Sequence, residues 1–140
     1  MKEKHKNILF FVSIFIVLLG FFAWRNHSYK NFVEEFDFSA AQKTGLPVLL
    51  ELGGKYCPAC MAMKPVLKEL DQKYSDDFAV AYIDANADSR AARKYNVSAI
   101  PVLIFMDKEG NKLHRYTGQM SENQIIQKWK DLGINLNLKK

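Results

Sequence analysis

The chain has 140 residues, which is enough for one packed domain but leaves little room for a second. Its formal net charge is +5, and the first 30 residues contribute +4 of it, since they hold five basic residues against one acidic residue. The remainder is therefore close to neutral, and the sequence lacks the concentrated basic surface that is typical of nucleic-acid-binding proteins.

Residues 8–24, ILFFVSIFIVLLGFFAW, form an uncharged apolar segment. As a helix this segment would be about 26 Å long, near the lower limit for crossing a membrane. A cleaved signal peptide is the alternative, but its apolar core is usually shorter, and the exit Phe22-Ala23-Trp24-Arg25 shows no small-x-small cleavage pattern. We therefore favour an uncleaved membrane anchor.

Three lysines precede this segment: Lys2, Lys4 and Lys6. The positive-inside rule then keeps the N-terminus in the cytoplasm and places the rest of the chain outside the cell membrane. We expect four parts: a cytoplasmic N-terminus (1–7), a transmembrane anchor (8–24), a tether (25–36) and a folded domain (37–140). In the tether, the spacing of Phe32, Val33 and Phe36 allows either a helical turn or a weak edge strand.

The folded part alternates short apolar runs with amphipathic segments. The sequence predicts a short helix that is capped at 37–39 and runs to 43, helices at 58–74 and 88–95, and a last helix that follows Ser121 and includes Leu132. It predicts strands at 48–52, 78–84, 102–106 and 112–116. For the second helix the predicted apolar face comprises Met61, Val66, Leu67 and Leu70, with a kink at Pro65. Ser121 and Gln124 form a capping box before the last helix. This order predicts a mixed sheet with helices on both faces, an α/β fold.

Both cysteines of the chain lie between the first strand and the second helix, as Cys57-Pro58-Ala59-Cys60. This spacing lets the first turn of a helix bring the two sulfurs within disulfide distance. Free N–H groups and the helix dipole favour the thiolate form of Cys57, and Pro58 suits the first helical position. The pattern indicates thiol–disulfide exchange.

Two other interpretations of the cysteine pair remain open: half of a metal site, and an inert structural disulfide. A zinc or iron–sulfur site needs four ligands, and the chain has no third cysteine. His5 and His27 flank the apolar segment, and His114 and the methionines Met61 and Met63 are isolated. We therefore expect no metal and no other cofactor.

Several features at matching spacings resemble the thioredoxin family, over roughly residues 39–132. Y-C-P-A-C at 56–60 stands where the family has W-C-G-P-C, and Pro65 falls where the family kinks its active-site helix. K-Y-N-V-S-A-I-P at 94–101 is similar to the stretch that ends in the family's cis-proline, and Gly118 matches the glycine that a substrate chain approaches. The resemblance implies a thioredoxin-like fold.

The resemblance also implies roles for three residues. Cys57 would be the attacking nucleophile and Cys60 the resolving thiol. Glu51 stands in the place of the family's buried aspartate, where burial would raise its pKa and suit it to exchange a proton with Cys60. The alternative is that Glu51 points to the edge of its strand, since strand residues alternate faces.

Four residues are expected to contact substrate: Tyr56, Ile100, Pro101 and Gly118. Pro101 would be cis and would offer a backbone edge for pairing. The chain also departs from the family, because Gly53 and Tyr56 replace two tryptophans, and Val80 is predicted to replace the lysine that accompanies the buried aspartate.

The absence of a histidine between the cysteines points to the reducing half of the range of potentials known for this fold. A reductase outside the membrane needs electrons from within, and the anchor contains no cysteine to carry them. The resemblance therefore implies a CcdA- or DsbD-type membrane electron donor, and exported disulfide proteins or apocytochrome c as substrates. The rival functions are a disulfide-forming oxidant and a non-enzymatic peptide-binding module.

Overall fold

The computed structural model describes residues 2–136, with side chains from Asn7 onward, and divides the chain into two compact units, residues 1–34 and 35–140. The first unit consists of helix α1 (Lys2–Glu35), which extends to the first residue of the second unit. Residues 25–35, predicted as a tether, continue this helix, so Phe32 and Val33 are helical and do not form an edge strand. Exposed apolar side chains cover α1 throughout residues 8–24.

One stretch of this helix, Asn7–Glu35, is long and apolar enough to cross a membrane. It lies near the N-terminus, where a signal sequence would meet the same criteria of length and composition.

The second unit contains a four-stranded sheet and four helices in the predicted order. Its elements are α2 (Phe38–Lys43), β1 (Val48–Gly53), α3 (Pro58–Tyr74), β2 (Ala79–Asp84), α4 (Ser89–Lys94), β3 (Val102–Met106), β4 (Lys112–Thr117) and α5 (Glu122–Asp131). The strand order is β2-β1-β3-β4; β1 and β2 are parallel, and β3 is antiparallel to both β1 and β4. The predicted mixed sheet is confirmed.

Polar side chains fix where the helices begin. Asp37 accepts a hydrogen bond from the Ala40 amide (2.7 Å) at the start of α2, and Asp88 caps α4 in the same manner. The predicted capping box of Ser121 and Gln124 opens α5. These bonds satisfy amide groups that the first turn of a helix leaves without a partner, so the chain enters each helix at a defined residue.

The strand β1 sends alternate side chains to the two faces of the sheet. Val48, Leu50 and Leu52 join a cluster that includes Ala41 of α2 and Ala91 of α4. The other face therefore receives Leu49 and Glu51, together with an aromatic group in which Trp129 of α5 contacts both Phe78 and Phe105.

The buried stripe of α3 differs from the predicted one. Its buried side chains are Cys60, Met63, Leu67 and Leu70, whereas Met61 is 42% exposed and Val66 only half-buried. Positions 60, 63, 67 and 70 recur at the three- and four-residue spacing of one helix face. The predicted face included Leu67 and Leu70 correctly, but it placed Met61 in the core instead of Met63.

Candidate active site

The two cysteines are positioned by the turn from β1 into α3. The Cys57 amide donates to the Gly54 carbonyl (3.2 Å), which closes the turn, and Cys57 is the N-cap residue of α3. Its sulfur accepts a hydrogen bond from the Cys60 amide (3.2 Å), and Pro58 occupies the first helical position. Cys57 and Cys60 form a disulfide across a Cα–Cα distance of 5.3 Å.

The two sulfurs differ in access. Cys57 is half-buried, whereas Cys60 is fully buried within α3. An incoming sulfur can therefore reach Cys57 and not Cys60. Because the Cys60 amide already points at the Cys57 sulfur, a negative charge on Cys57 in the reduced protein would be stabilised by that hydrogen bond and by the helix N-terminus. This is the arrangement that thiol–disulfide exchange requires.

The segment before β3 lies against Cys57. The Ile100–Pro101 peptide bond is cis, and the Cys57 sulfur is 4.0 Å from the Ile100 carbonyl oxygen. The Pro101 carbonyl accepts a hydrogen bond from the Gly118 amide (2.8 Å). Gly118 has a φ of +118°, a backbone conformation that favours glycine. The structure thus brings Ile100, Pro101 and Gly118, three of the predicted substrate-contact residues, to one side of the disulfide.

The fourth predicted contact residue, Tyr56, is 69% exposed beside Cys57. The Lys55 ammonium lies 5.4 Å from the centre of its ring. A large exposed aromatic side chain beside the reactive sulfur provides an apolar surface that a polypeptide can cover. Met61 adds a second exposed apolar side chain in the first part of α3.

Glu51 is fully buried on the face of β1 that α3 covers, so it does not point to the edge of the strand. Neither of its carboxylate oxygens has a hydrogen-bond partner among the described residues. Burial raises the pKa of Glu51 from 4.5 to about 8, although the Lys64 charge opposes this shift. The carboxyl group is therefore neutral through most of the physiological pH range.

Two neighbours of Glu51 were missed from the sequence. Tyr82 lies opposite Glu51 in the parallel β1–β2 pairing, whereas Val80 pairs with Leu49. Lys64 of α3 supplies the positive charge near the carboxyl group. Its position four residues after Cys60, on the same helix face, was the one sequence signal that could have identified it.

The position of Tyr82 also explains why residue 53 is glycine. A Cβ atom on Gly53 would lie 2.8 Å from the Tyr82 ring and 3.0 Å from both the Tyr82 hydroxyl and a Glu51 oxygen. These separations are too short for ordinary packing. The Tyr82 side chain therefore fills the space that any side chain at position 53 would need.

The Lys64 side chain is itself half-buried. Burial lowers the pKa of Lys64, the carboxylates of Glu51 and Asp84 raise it, and the Lys68 charge lowers it. Glu51 and Lys64 thus form a pair with shifted pKa values. The Glu51 carboxyl holds its proton to unusually high pH, and the Lys64 ammonium releases its proton more readily than usual. Such a pair can take up and deliver a proton near neutral pH.

Comparison with known proteins gives a consistent assignment. The thioredoxin family model matches residues 27–131. The chain is 34% identical to the chloroplastic thioredoxin Y of Oryza sativa subsp. japonica over 86 residues, which cover 61% of this chain and 51% of that protein. It is 35% identical to the thioredoxin of Bacillus subtilis (strain 168) over 81 residues, which cover 58% of this chain and 76% of that protein. The match therefore spans about half the length of the rice protein.

Solved structures show the same fold. Thioredoxin NaTrxh from Nicotiana alata superimposes with a TM-score of 0.56 at 20% identity, over 76% of this chain and 84% of that one. Thioredoxin-2 of the malaria parasite gives a TM-score of 0.58 at 23% identity, over 61% of this chain and 82% of that one. With the matched family model, the C-x-x-C disulfide and the mixed sheet, these findings show that the chain belongs to the thioredoxin family.

Proposed function

We propose that this protein is an extracytoplasmic thiol–disulfide oxidoreductase that reduces disulfides of exported proteins, apocytochrome c among them. The observation that carries the proposal is the asymmetry of the cysteine pair, with Cys57 accessible at the N-terminus of α3 and Cys60 buried behind it. Tyr56, Ile100, Pro101 and Gly118 would form the surface that receives the substrate.

The reaction begins with the reduced pair. The Cys57 thiolate attacks one sulfur of the substrate disulfide; the substrate S–S bond breaks, and its other sulfur leaves as a thiolate that takes up a proton. Cys60 then loses its proton and attacks the Cys57 sulfur, which releases the second substrate thiol and forms the Cys57–Cys60 disulfide. The substrate gains two electrons and two protons; both electrons and the Cys60 proton come from the protein, and the other proton comes from water because Cys57 reacts as a thiolate.

Glu51 is proposed to accept the proton that Cys60 must lose, acting through the fraction of molecules in which its carboxyl is ionised. A thiol has an ordinary pKa of about 8.5, so a buried carboxyl with a pKa of about 8 is well matched to it, whereas an exposed carboxylate would be too weak a base. The carboxyl group lies on the sheet face that α3 covers, and Cys60 is buried on the same side of that helix. The Lys64 charge stabilises the Glu51 carboxylate that takes up this proton.

The extracytoplasmic location rests on the three lysines before the apolar helix and on the length of that helix. If it is correct, a membrane-impermeant maleimide added to intact cells after mild reduction will label the protein at Cys57. The matched control is a Cys57→Ser, Cys60→Ser variant, which offers no thiol because the chain has two cysteines in all. Labelling that occurs only after the cells are broken would place the domain in the cytoplasm.

A reductase in this location must be reduced again after each cycle. A CcdA- or DsbD-type membrane protein would pass two electrons from its own dithiol to the Cys57–Cys60 disulfide. The α1 helix would keep the domain at the membrane and so raise its effective concentration near such a donor.

The direction of electron flow is tested by the reduction potential of the full chain in detergent, titrated against glutathione or dithiothreitol. With proline and alanine between the cysteines and no histidine to stabilise the thiolate, we expect a value near or below about −230 mV. A value above about −150 mV would instead identify a disulfide-forming oxidant.

A further inference from the structure

The loop between β4 and α5 is tied to the cysteine turn by one side chain. Gln119, which follows Gly118, donates from its Nε2 to the Ala59 carbonyl oxygen at 3.0 Å. Ala59 lies between the two cysteines, so this bond joins the loop to the C-x-x-C turn itself across 60 positions in sequence. The Gln119 side chain is thereby held at the edge of the active site, although it is exposed to solvent.

The chemistry of the Gln119 side-chain amide determines which of its atoms can still bind another group. A carbonyl oxygen can only accept, so the Gln119 atom that contacts Ala59 must be the nitrogen, and the oxygen lies on the other arm of the planar amide. Within residues 2–136, no protein group donates to this Oε1 atom. The side chain therefore presents a fixed hydrogen-bond acceptor that faces away from the turn.

The main-chain groups near Gln119 Oε1 already have contacts of their own. The Gly118 amide already donates to the Pro101 carbonyl, and the Ile100 carbonyl lies against the Cys57 sulfur. The Tyr116 ring lies 3.6 Å from the position that a Cβ on Gly118 would take. A polypeptide passing Gly118 brings one N–H group per residue that must find an acceptor when it leaves water. Gln119 Oε1 provides one beside the C-x-x-C turn.

We propose that Gln119 is a substrate-binding residue that accepts a hydrogen bond from a main-chain N–H group of an extended polypeptide lying along Gly118. The inference rests on the proposed function and deepens it, because it distinguishes polypeptide disulfides from small disulfides that have no main chain to present. Ala59 would hold the amide in place, so that binding does not have to order a free glutamine side chain.

The test compares two substrates in the full-length protein. One is a disulfide-bonded peptide with several residues on either side of each cysteine, and the other is the small aromatic disulfide dithiobis(nitrobenzoate). For Gln119→Ala we expect kcat/KM for the peptide to fall about three- to tenfold, as for loss of one hydrogen bond, with no change for the small disulfide. The matched control is Gln127→Ala, since Gln127 bonds Asp131 within α5.

Two results would overturn the proposal. An equal loss with both substrates would mean that Gln119 only supports the cysteine turn, and unchanged rates with both would mean that it binds nothing. Failure of the proposed function would differ from either, because the wild-type protein would then reduce neither disulfide. Thermal unfolding of Gln119→Ala alongside Gln127→Ala separates a loss of binding from a loss of folded protein.

Discussion

A Cys60→Ser variant is expected to accumulate as a mixed disulfide with its substrate, whereas a Cys57→Ser variant is expected to lose exchange by roughly 10³-fold or more. The accessible Cys57 sulfur can still attack when Cys60 is absent, but nothing then releases the bound substrate. Without Cys57, the remaining Cys60 sulfur is buried in α3 and cannot be reached. This is the largest functional effect that the structure predicts.

The measurement is non-reducing electrophoresis of each variant isolated from cells, with dithiothreitol as the check that any adduct is a disulfide. Adducts on Cys57→Ser in place of Cys60→Ser would reverse the assignment of the two roles. The double variant Cys57→Ser, Cys60→Ser tests whether the biological function needs redox chemistry at all. If it retained full biological function, the protein would be a peptide-binding module and not a redox enzyme.

The second large effect is a loss of stability as pH rises, caused by Glu51. In the unfolded chain this carboxyl ionises with a pKa of 4.5, whereas in the folded protein its pKa is about 8. Between these values the folded state holds a proton that the unfolded state has released, so the free energy of unfolding falls with rising pH. The contribution is fully present below about pH 4.5 and lost above about pH 8, and it amounts to about 5 kcal/mol at most.

Urea unfolding of the oxidised full chain in detergent at pH 5, 7 and 9 measures this effect, because the disulfide-bonded cysteines do not titrate. For a Glu51→Gln variant, the free energy of unfolding should no longer fall in this way as the pH rises from 5 to 9. Its stability should exceed that of the wild type most at pH 9. Glu109→Gln removes an exposed carboxylate of the β3–β4 turn and is the matched control. The same decline in Glu51→Gln as in the wild type would show that Glu51 does not hold its proton in the folded state.

Replacing Lys64 should raise the pH at which the folded protein loses the stability that protonated Glu51 contributes. The ammonium charge favours the carboxylate form of Glu51, so Lys64→Met is expected to raise the pKa of Glu51 and shift the loss of stability to higher pH. The other charged groups that act on Lys64 are Lys68 from α3 and Asp84 at the end of β2, and Tyr82 of β2 lies opposite Glu51.

The sequence was sufficient to predict most of the folded unit because its strands are short apolar runs and its helices begin at Asp37, Asp88 and Ser121, whose caps depend on neighbours only two or three residues away. The disulfide turn was predictable for the same reason. Cys57 caps α3 through the Cys60 amide, so the spacing of two intervening residues determines the geometry.

What the sequence did not predict depends on longer-range geometry. Tyr82 and Val80 are two residues apart and share a strand face, and only the β1–β2 register decides which lies opposite Glu51. Met63 replaces Met61 in the core because the rotation of α3 about its axis is set by packing on the sheet. The Gln119 contact with Ala59 joins the β4–α5 loop to the first turn of α3 and leaves no periodic pattern to detect.

The space shared by Gly53 and Tyr82 has an evolutionary consequence. Because the Tyr82 ring occupies the place of a side chain at position 53, neither residue can change size alone without a clash or a cavity. We expect the two positions to vary together among close relatives. Grafting residues 53–60 from a family member that has tryptophan at position 53 would therefore drive the indole into Tyr82, and a successful transplant must carry both positions.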